Sequence, residues 1–239
     1  MRPRDVLGLV AALVMAAVCV RLGLWQIARL HEKQALNATL RAAEHAPPLA
    51  VAGEPPPLAV ARERSLEVRG TFDEAHQILL AGRAHGGAPG VAVVTPLRVA
   101  GAASAILVER GWLYSADAAT ARPQSYLEPG ERTVRGIVEE LRRGAGGRAL
   151  RAIEQDSVTL WSARWLDADS LRARLPYPIA DYALRQTPGP GIPDMPRREL
   201  PHPYDEMLHV SYAVQWFLFA TILIGGSAVL AWSRRRAEK

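Results

Sequence analysis

Apolar residues crowd the two ends of this 239-residue chain, while the middle alternates like a water-soluble domain. From Val6 to Val20 no charge interrupts the first run, and past Arg21 it continues through Leu22, Gly23, Leu24 and Trp25. A membrane span needs about 20 mostly apolar residues, so the pattern predicts a first transmembrane helix over 6–27. Arg21 lies near its far end, where a long side chain snorkels, and Trp25 suits the interface. The second run, Val210 to Trp232, has no charge and makes about 34 Å of helix. It predicts a second span over 208–232.

Between these runs the chain predicts strands separated by turn signals. The candidates are 65–70, 76–81, 91–99, 105–109, 133–139, 159–164 and 179–186. Gly86 to Gly90 reads as a turn, and Asp169 or Ser170 as the cap of a short helix reaching Leu175. Gln26 to Arg41 continues the first helix as a polar one, and Pro47-Pro48 and Pro55-Pro56-Pro57 make an extended connection. The folded core is expected over about 64–190. The fold class is therefore a membrane protein with two transmembrane helices flanking a mainly antiparallel β domain (α+β, barrel-like where it closes).

Charge settles an orientation. Arg234, Arg235 and Arg236 follow the second run and read as a cytoplasmic anchor. With two spans, residues 1–5 and 233–239 are then cytoplasmic, and 28–207 form a periplasmic domain on a bacterial inner (plasma) membrane. A cleaved secretory signal is the rival for the first run, with Arg2 and Arg4 as its basic start. Ala16-Ala17-Val18-Cys19 even resembles a lipoprotein cleavage site, but Val18 is too large just before the cysteine, and a retained helix is expected.

Composition excludes more than it assigns. Cys19 is the only cysteine, so intrachain disulfides and paired-thiolate metal carriers are ruled out. The net charge of +5 is carried almost wholly by arginine, with no basic stripe interleaved with aromatics, so no nucleic-acid partner is expected. No nucleophile elbow, phosphate loop or zinc-type histidine pair occurs, and no enzyme is expected.

Three places carry candidate chemistry. Trp25, Gln26 and Arg29, followed by Lys33, sit where the first helix leaves the membrane. They suit either an amphiphilic ligand or an interfacial belt on lipid phosphates. His209, Tyr212, Ala213 and Trp216 form one stripe at the start of the second helix, with Gln215 deeper. A neutral imidazole is a common axial ligand for haem iron, so His209 is a candidate metal ligand; the alternative is an interfacial histidine in a helix contact. With both helix ends at one interface, these residues share a depth, and Arg29 or Lys33 suits propionate carboxylates. Arg110 and Trp112, at a strand end, are either a partner-docking surface or a structural arginine beside a core tryptophan.

These residues also carry a resemblance. Leu22-Gly23-Leu24-Trp25-Gln26 with Arg29 and Lys33 resembles the first-helix motif of the Surfeit locus protein 1 family. Pro89-Gly90, Thr95-Pro96-Leu97 and Leu107-Val108-Glu109-Arg110-Gly111-Trp112 resemble its central motif, with Glu109 where the family usually has Asn or Asp. Pro203-Tyr204, His209, Tyr212-Ala213, Gln215-Trp216-Phe217 and Phe219-Ala220 resemble its second-helix motif. The resemblance implies an assembly factor for haem-copper terminal oxidases such as cytochrome c oxidase, binding haem a through His209. It implies the oxidase's catalytic subunit as partner, with the haem a synthesis machinery as a further one and the lipid bilayer as the setting. The other reading is a haem-free scaffold for a half-assembled oxidase.

Overall fold

The computed structural model describes residues 3–62, 64–144, 149–155, 158–200 and 203–237. The chain divides into a helical unit, residues 1–39 with 203–239, and a sheet unit, residues 40–202.

In the sheet unit nine strands form one sheet: β1 (Leu49–Val51), β2 (Ser65–Phe72), β3 (Ile78–His85), β4 (Ala88–Val99), β5 (Ala105–Tyr114), β6 (Glu131–Glu140), β7 (Arg151–Gln155), β8 (Val158–Ala163) and β9 (Ile179–Gln186). Their order is β1-β2-β6-β9-β5-β4-β3-β8-β7, and β2 also pairs with β4. That extra pairing, Gly70 opposite Val99 to Phe72 opposite Leu97, closes β2, β6, β9, β5 and β4 into a five-stranded barrel. The sheet forks at β4. Its last residues turn to β2, and its earlier ones pair with β3, which continues into β8 and β7.

The apolar pattern explains the fork. One cluster, including Leu66, Val68, Leu97, Ile106, Val108, Val134 and Leu184, draws on all five barrel strands and fills the interior. A second, including Ile78, Leu80, Val94, Leu107 and Leu171, packs the other face of β4 and β5. Both strands are thus buried on both faces, and so they read as continuous apolar runs rather than alternating ones.

Several expected boundaries move. The sheet begins at Leu49, ahead of residue 64, because β1 adds in parallel to β2 inside the proline-rich connection. That connection also holds a one-turn helix, α2 (Leu58–Ala61). The 86–90 turn shrinks to Gly86-Gly87, both with positive φ, a two-residue hairpin loop that leaves Ala88–Gly90 in β4. Helix α3 (Ala168–Arg172) is capped by Asp167, whose carboxylate accepts from the Ser170 backbone N–H at 2.9 Å; Asp169 and Ser170 lie inside its first turn. β7 escaped the sequence pattern because it is a short edge strand held only by β8.

In the helical unit, α1 (Pro3–His45) and α4 (Glu206–Ala237) each contain a segment long and apolar enough to cross a membrane. Most of that apolar surface points away from the protein: Val14, Leu24, Val214, Leu218 and Ile222 are all exposed. Such surface is stable only in a lipid-like environment, and the chain is accordingly a membrane protein. The buried residues of α1 are Ala16, Cys19, Gly23, Gln26 and Asn37, and those of α4 Ala213 and Ala220. Spacings of three, four and seven mark a coiled-coil-like seam of small residues. Gly23 lies under the Phe217 ring; a Cβ there would stand 2.8 Å from Cζ. Gly23→Val is therefore expected to cost the helix pair about 1–3 kcal/mol, read as a lower unfolding midpoint in detergent, whereas Gly8→Ala, where a Cβ meets nothing within 4 Å, leaves it unchanged.

Candidate functional site

The seam between α1 and α4 brings Gln26 and His209 together. His209 Nδ1 lies 2.8 Å from Gln26 Oε1. An amide oxygen only accepts, so Nδ1 is the donor, and in the neutral imidazole Nε2 then keeps its lone pair. His209 is half-buried, and Nε2 makes no hydrogen bond among the described residues. The result is an oriented imidazole with a free ring nitrogen, the arrangement that ligates a metal centre.

About three turns further along α1, Asn37 clasps the start of α4. Its Nδ2 donates to the Tyr204 carbonyl at 3.0 Å and to Glu206 at 2.8 Å, and its Oδ1 accepts from the Tyr204 N–H at 2.8 Å. Lys33 Nζ stands 3.9 Å from the Tyr204 ring centroid. These contacts hold the two helices antiparallel and in register. Asn37 was missed from sequence, although it continues the stripe of Cys19 and Gln26.

The other expected site residues lie off the seam. Trp25 and Tyr212 are exposed, and Arg29 is paired with Glu32 at 2.6 Å with its guanidinium 5.7 Å from the Trp25 ring. Each step along a helix turns about 100°. Trp25 and Arg29 therefore lie to one side of Gln26, and Tyr212 to one side of His209. Because the helices run antiparallel, that is the same flank of the pair. Trp216 is half-buried, edge-on to Phe219 at 6.0 Å. Gln215 is exposed, about 120° round the helix from His209 on the same side as Tyr212, and does not join the seam.

In the sheet unit Arg110 and Trp112 part company. Arg110 has the parity of Ile106 and Val108, whose side chains fill the barrel, and points into one end of it; the register shift between Val93 and Val94, a β-bulge at Arg110, sends Trp112 to the opposite face beside Ala92 and Glu109. Arg110 is fully buried and offers no surface to a partner. Its Nε donates to Glu128 at 3.1 Å and its Nη2 at 2.7 Å, while Nη1 reaches Glu74 at 3.2 Å. Arg198 and Arg132 also close on Glu128. Burial works to raise the Glu128 carboxyl, but the arginines hold it below the usual range. The structural reading of Arg110 is the one that fits. Trp112 is half-buried; its ring lies over Gly90, where a Cβ would meet Nε1 at 2.2 Å, and tilts against His85. Gly111 (φ 143°) passes under the Arg197 carbonyl, and Trp112 and Arg197 exchange both backbone hydrogen bonds at 2.8 Å. The glycines of the central motif thus serve close backbone approach.

Asp73 accepts from Tyr177 Oη at 2.6 Å and pairs with His76 Nδ1 at 2.8 Å. Burial and Asp73 together push the Tyr177 hydroxyl far up, so the phenol stays protonated and the trio acts as a lock on the 73–77 turn. No group of three or more His, Cys, Asp or Glu side chains suited to a metal ion occurs among the described residues.

Comparison with known proteins agrees with this architecture. The family model described as the SURF1 family matches residues 13–221, which reach from the first apolar helix well into the second. A SURF1-like protein from Monosiga brevicollis is 29% identical over 227 residues, covering 90% of this chain and 84% of the relative. With apolar helices at both ends, the barrel between them and a family match over most of its length, the chain belongs to the SURF1 family.

Proposed function

We propose that this chain helps assemble a haem-copper terminal oxidase by carrying haem a on its helix pair, with His209 as the iron ligand. The SURF1 family is one of cytochrome oxidase assembly factors. The observation that carries the finer reading is the Gln26–His209 hydrogen bond, which leaves Nε2 as a free donor to iron. Trp25 and Tyr212 on the adjoining flank offer aromatic surface to a flat ring, and Arg29 and Lys33 offer cations to carboxylates. Haem a is cargo here, and no bond in it is made or broken. The catalytic subunit of the oxidase is the proposed recipient, and the haem a synthesis machinery the proposed donor. The basic Arg234–Arg236 run supports a cytoplasmic C-terminus, which puts the barrel on the periplasmic side of a bacterial inner membrane.

The test is the visible spectrum of the protein purified in detergent from cells making haem a. A stoichiometric haem band is expected for the wild type and none for His209→Ala. Gln26→Leu keeps the ligand but frees the ring, and is expected to weaken haem binding about 10–100-fold. A haem-free wild type that still co-purifies with oxidase subunits would leave the scaffold reading instead.

A further inference from the structure

A cavity of about 300 Å³ opens on the sheet unit, walled by Arg83, Arg185 and Trp112 over a floor of Ala92 and Gly111. A second, of about 230 Å³, shares Arg83, Glu109 and Arg185 with it. Those three side chains stand between the two spaces, and their hydrogen bonding does not close. Arg185 Nη2 reaches Glu139 at 2.6 Å. Its Nε is buried and has no acceptor, with Glu109 3.8 Å away. Arg83 is half-buried, and its guanidinium makes no hydrogen bond or ion pair among the described residues. A guanidinium has five N–H donors and no acceptor; the Arg185 Nε–H is withdrawn from water and costly to leave unmet, and the Arg83 guanidinium stands unpaired at the cavity wall.

The nearby carboxylates do not meet this demand. Burial pushes the Glu139 carboxyl up; Glu109 adds to that, while Arg185 and Arg83 pull the other way. Glutamates are thus in supply, but two of them crowd Arg185, and Arg83 acts on Glu139 only from beyond ion-pair distance. Together the two cavities are lined by five arginines and four glutamates, a surplus of one positive charge. A dianion such as phosphate would overshoot that surplus beside Glu109. A monovalent carboxylate matches it, and 300 Å³ admits a short side chain rather than a large cofactor.

We infer that this cavity is a carboxylate-binding site, with Arg83 and the Arg185 Nε–H as its donors and the Trp112 ring as its wall. The carboxylate belongs either to an acidic side chain of a partner polypeptide or to a small free acid. This site does not depend on haem binding by the helices.

The experiment is calorimetric titration of the full-length protein in detergent with three probes: acetyl-Ala-Glu-Ala-amide, its glutamine counterpart and acetate. The glutamate peptide is expected to bind about 10–100-fold more tightly than the glutamine peptide, as a charge-assisted hydrogen bond would give. Arg83→Met is expected to abolish the difference and Arg83→Lys to keep part of it, with circular dichroism confirming that both variants are folded. Acetate binding as well as the glutamate peptide assigns the site to small acids; a clear preference for the peptide assigns it to a partner's side chain. Equal binding of the two peptides, no binding of any probe, or binding unchanged in Arg83→Met overturns the proposal.

Discussion

Glu128→Ala is expected to destabilise the sheet unit by about 3–5 kcal/mol, since it strands buried guanidinium charge. Arg110 is fully buried and Arg198 nearly so, and both point at the Glu128 carboxylate. Against a total stability of roughly 5–15 kcal/mol for a domain, that loss removes a large share of the stability. It is read as a lower denaturant midpoint in detergent, followed by tryptophan fluorescence. Arg110→Met, which leaves Arg198 and Arg132 on the glutamate, is expected to cost less than Glu128→Ala. The reverse order would mean that Glu74, not Glu128, is the main counter-charge. The same cluster sets an acid limit. The Glu128 carboxyl is held below its ordinary value of 4.5, despite burial, by Arg110 and Arg198. Its contribution is therefore complete above that value and is lost as pH falls through the lower folded value. Wild type is expected to lose stability on acidification below about pH 4.5, and Glu128→Gln to lose less over that interval.

The second large effect is expected at the barrel's closure. A Cβ on Gly70 would stand 2.3 Å from the Arg98 carbonyl oxygen, which is backbone and does not yield. Gly70 also pairs with Val99 in the short β2–β4 ladder that shuts the barrel. Gly70→Ala must either part that ladder or shift β2, at roughly 3 kcal/mol. Gly189→Ala is the control, because its Cβ would meet only the Ile192 Cδ1 at an ordinary 3.6 Å. Thermal unfolding of the two variants should separate them clearly; equal midpoints would mean that closure contributes little to stability.

The helices, most strands and the family were legible along the chain, because their signals are local. Two long apolar runs announce two spans, and alternation or continuous apolar character announces strands such as 105–109 and 179–186. Of the helix-pair site, His209 and Gln26 were each legible, but as neighbours in separate motifs. Gln215 was read from its depth, and its angle about α4 puts it off the seam on the Tyr212 side. Arg110 was legible either as a docking residue or as a structural one; its burial against Glu128 decides for the second, and a single bulge parts it from Trp112. β1 and β7 carry too few residues to show a period.

Sequence by itself therefore determined the membrane class, the order of elements and the residue types at the candidate site. Tertiary structure alone decided that β2 meets β4, that Glu128 gathers three arginines and that Gln26 holds His209. The physical reason is range. Hydrophobic period, turn chemistry and helix spacing are written in residues a few positions apart. Strand register, a bulge's direction and a hydrogen bond across 183 positions depend on how distant segments pack.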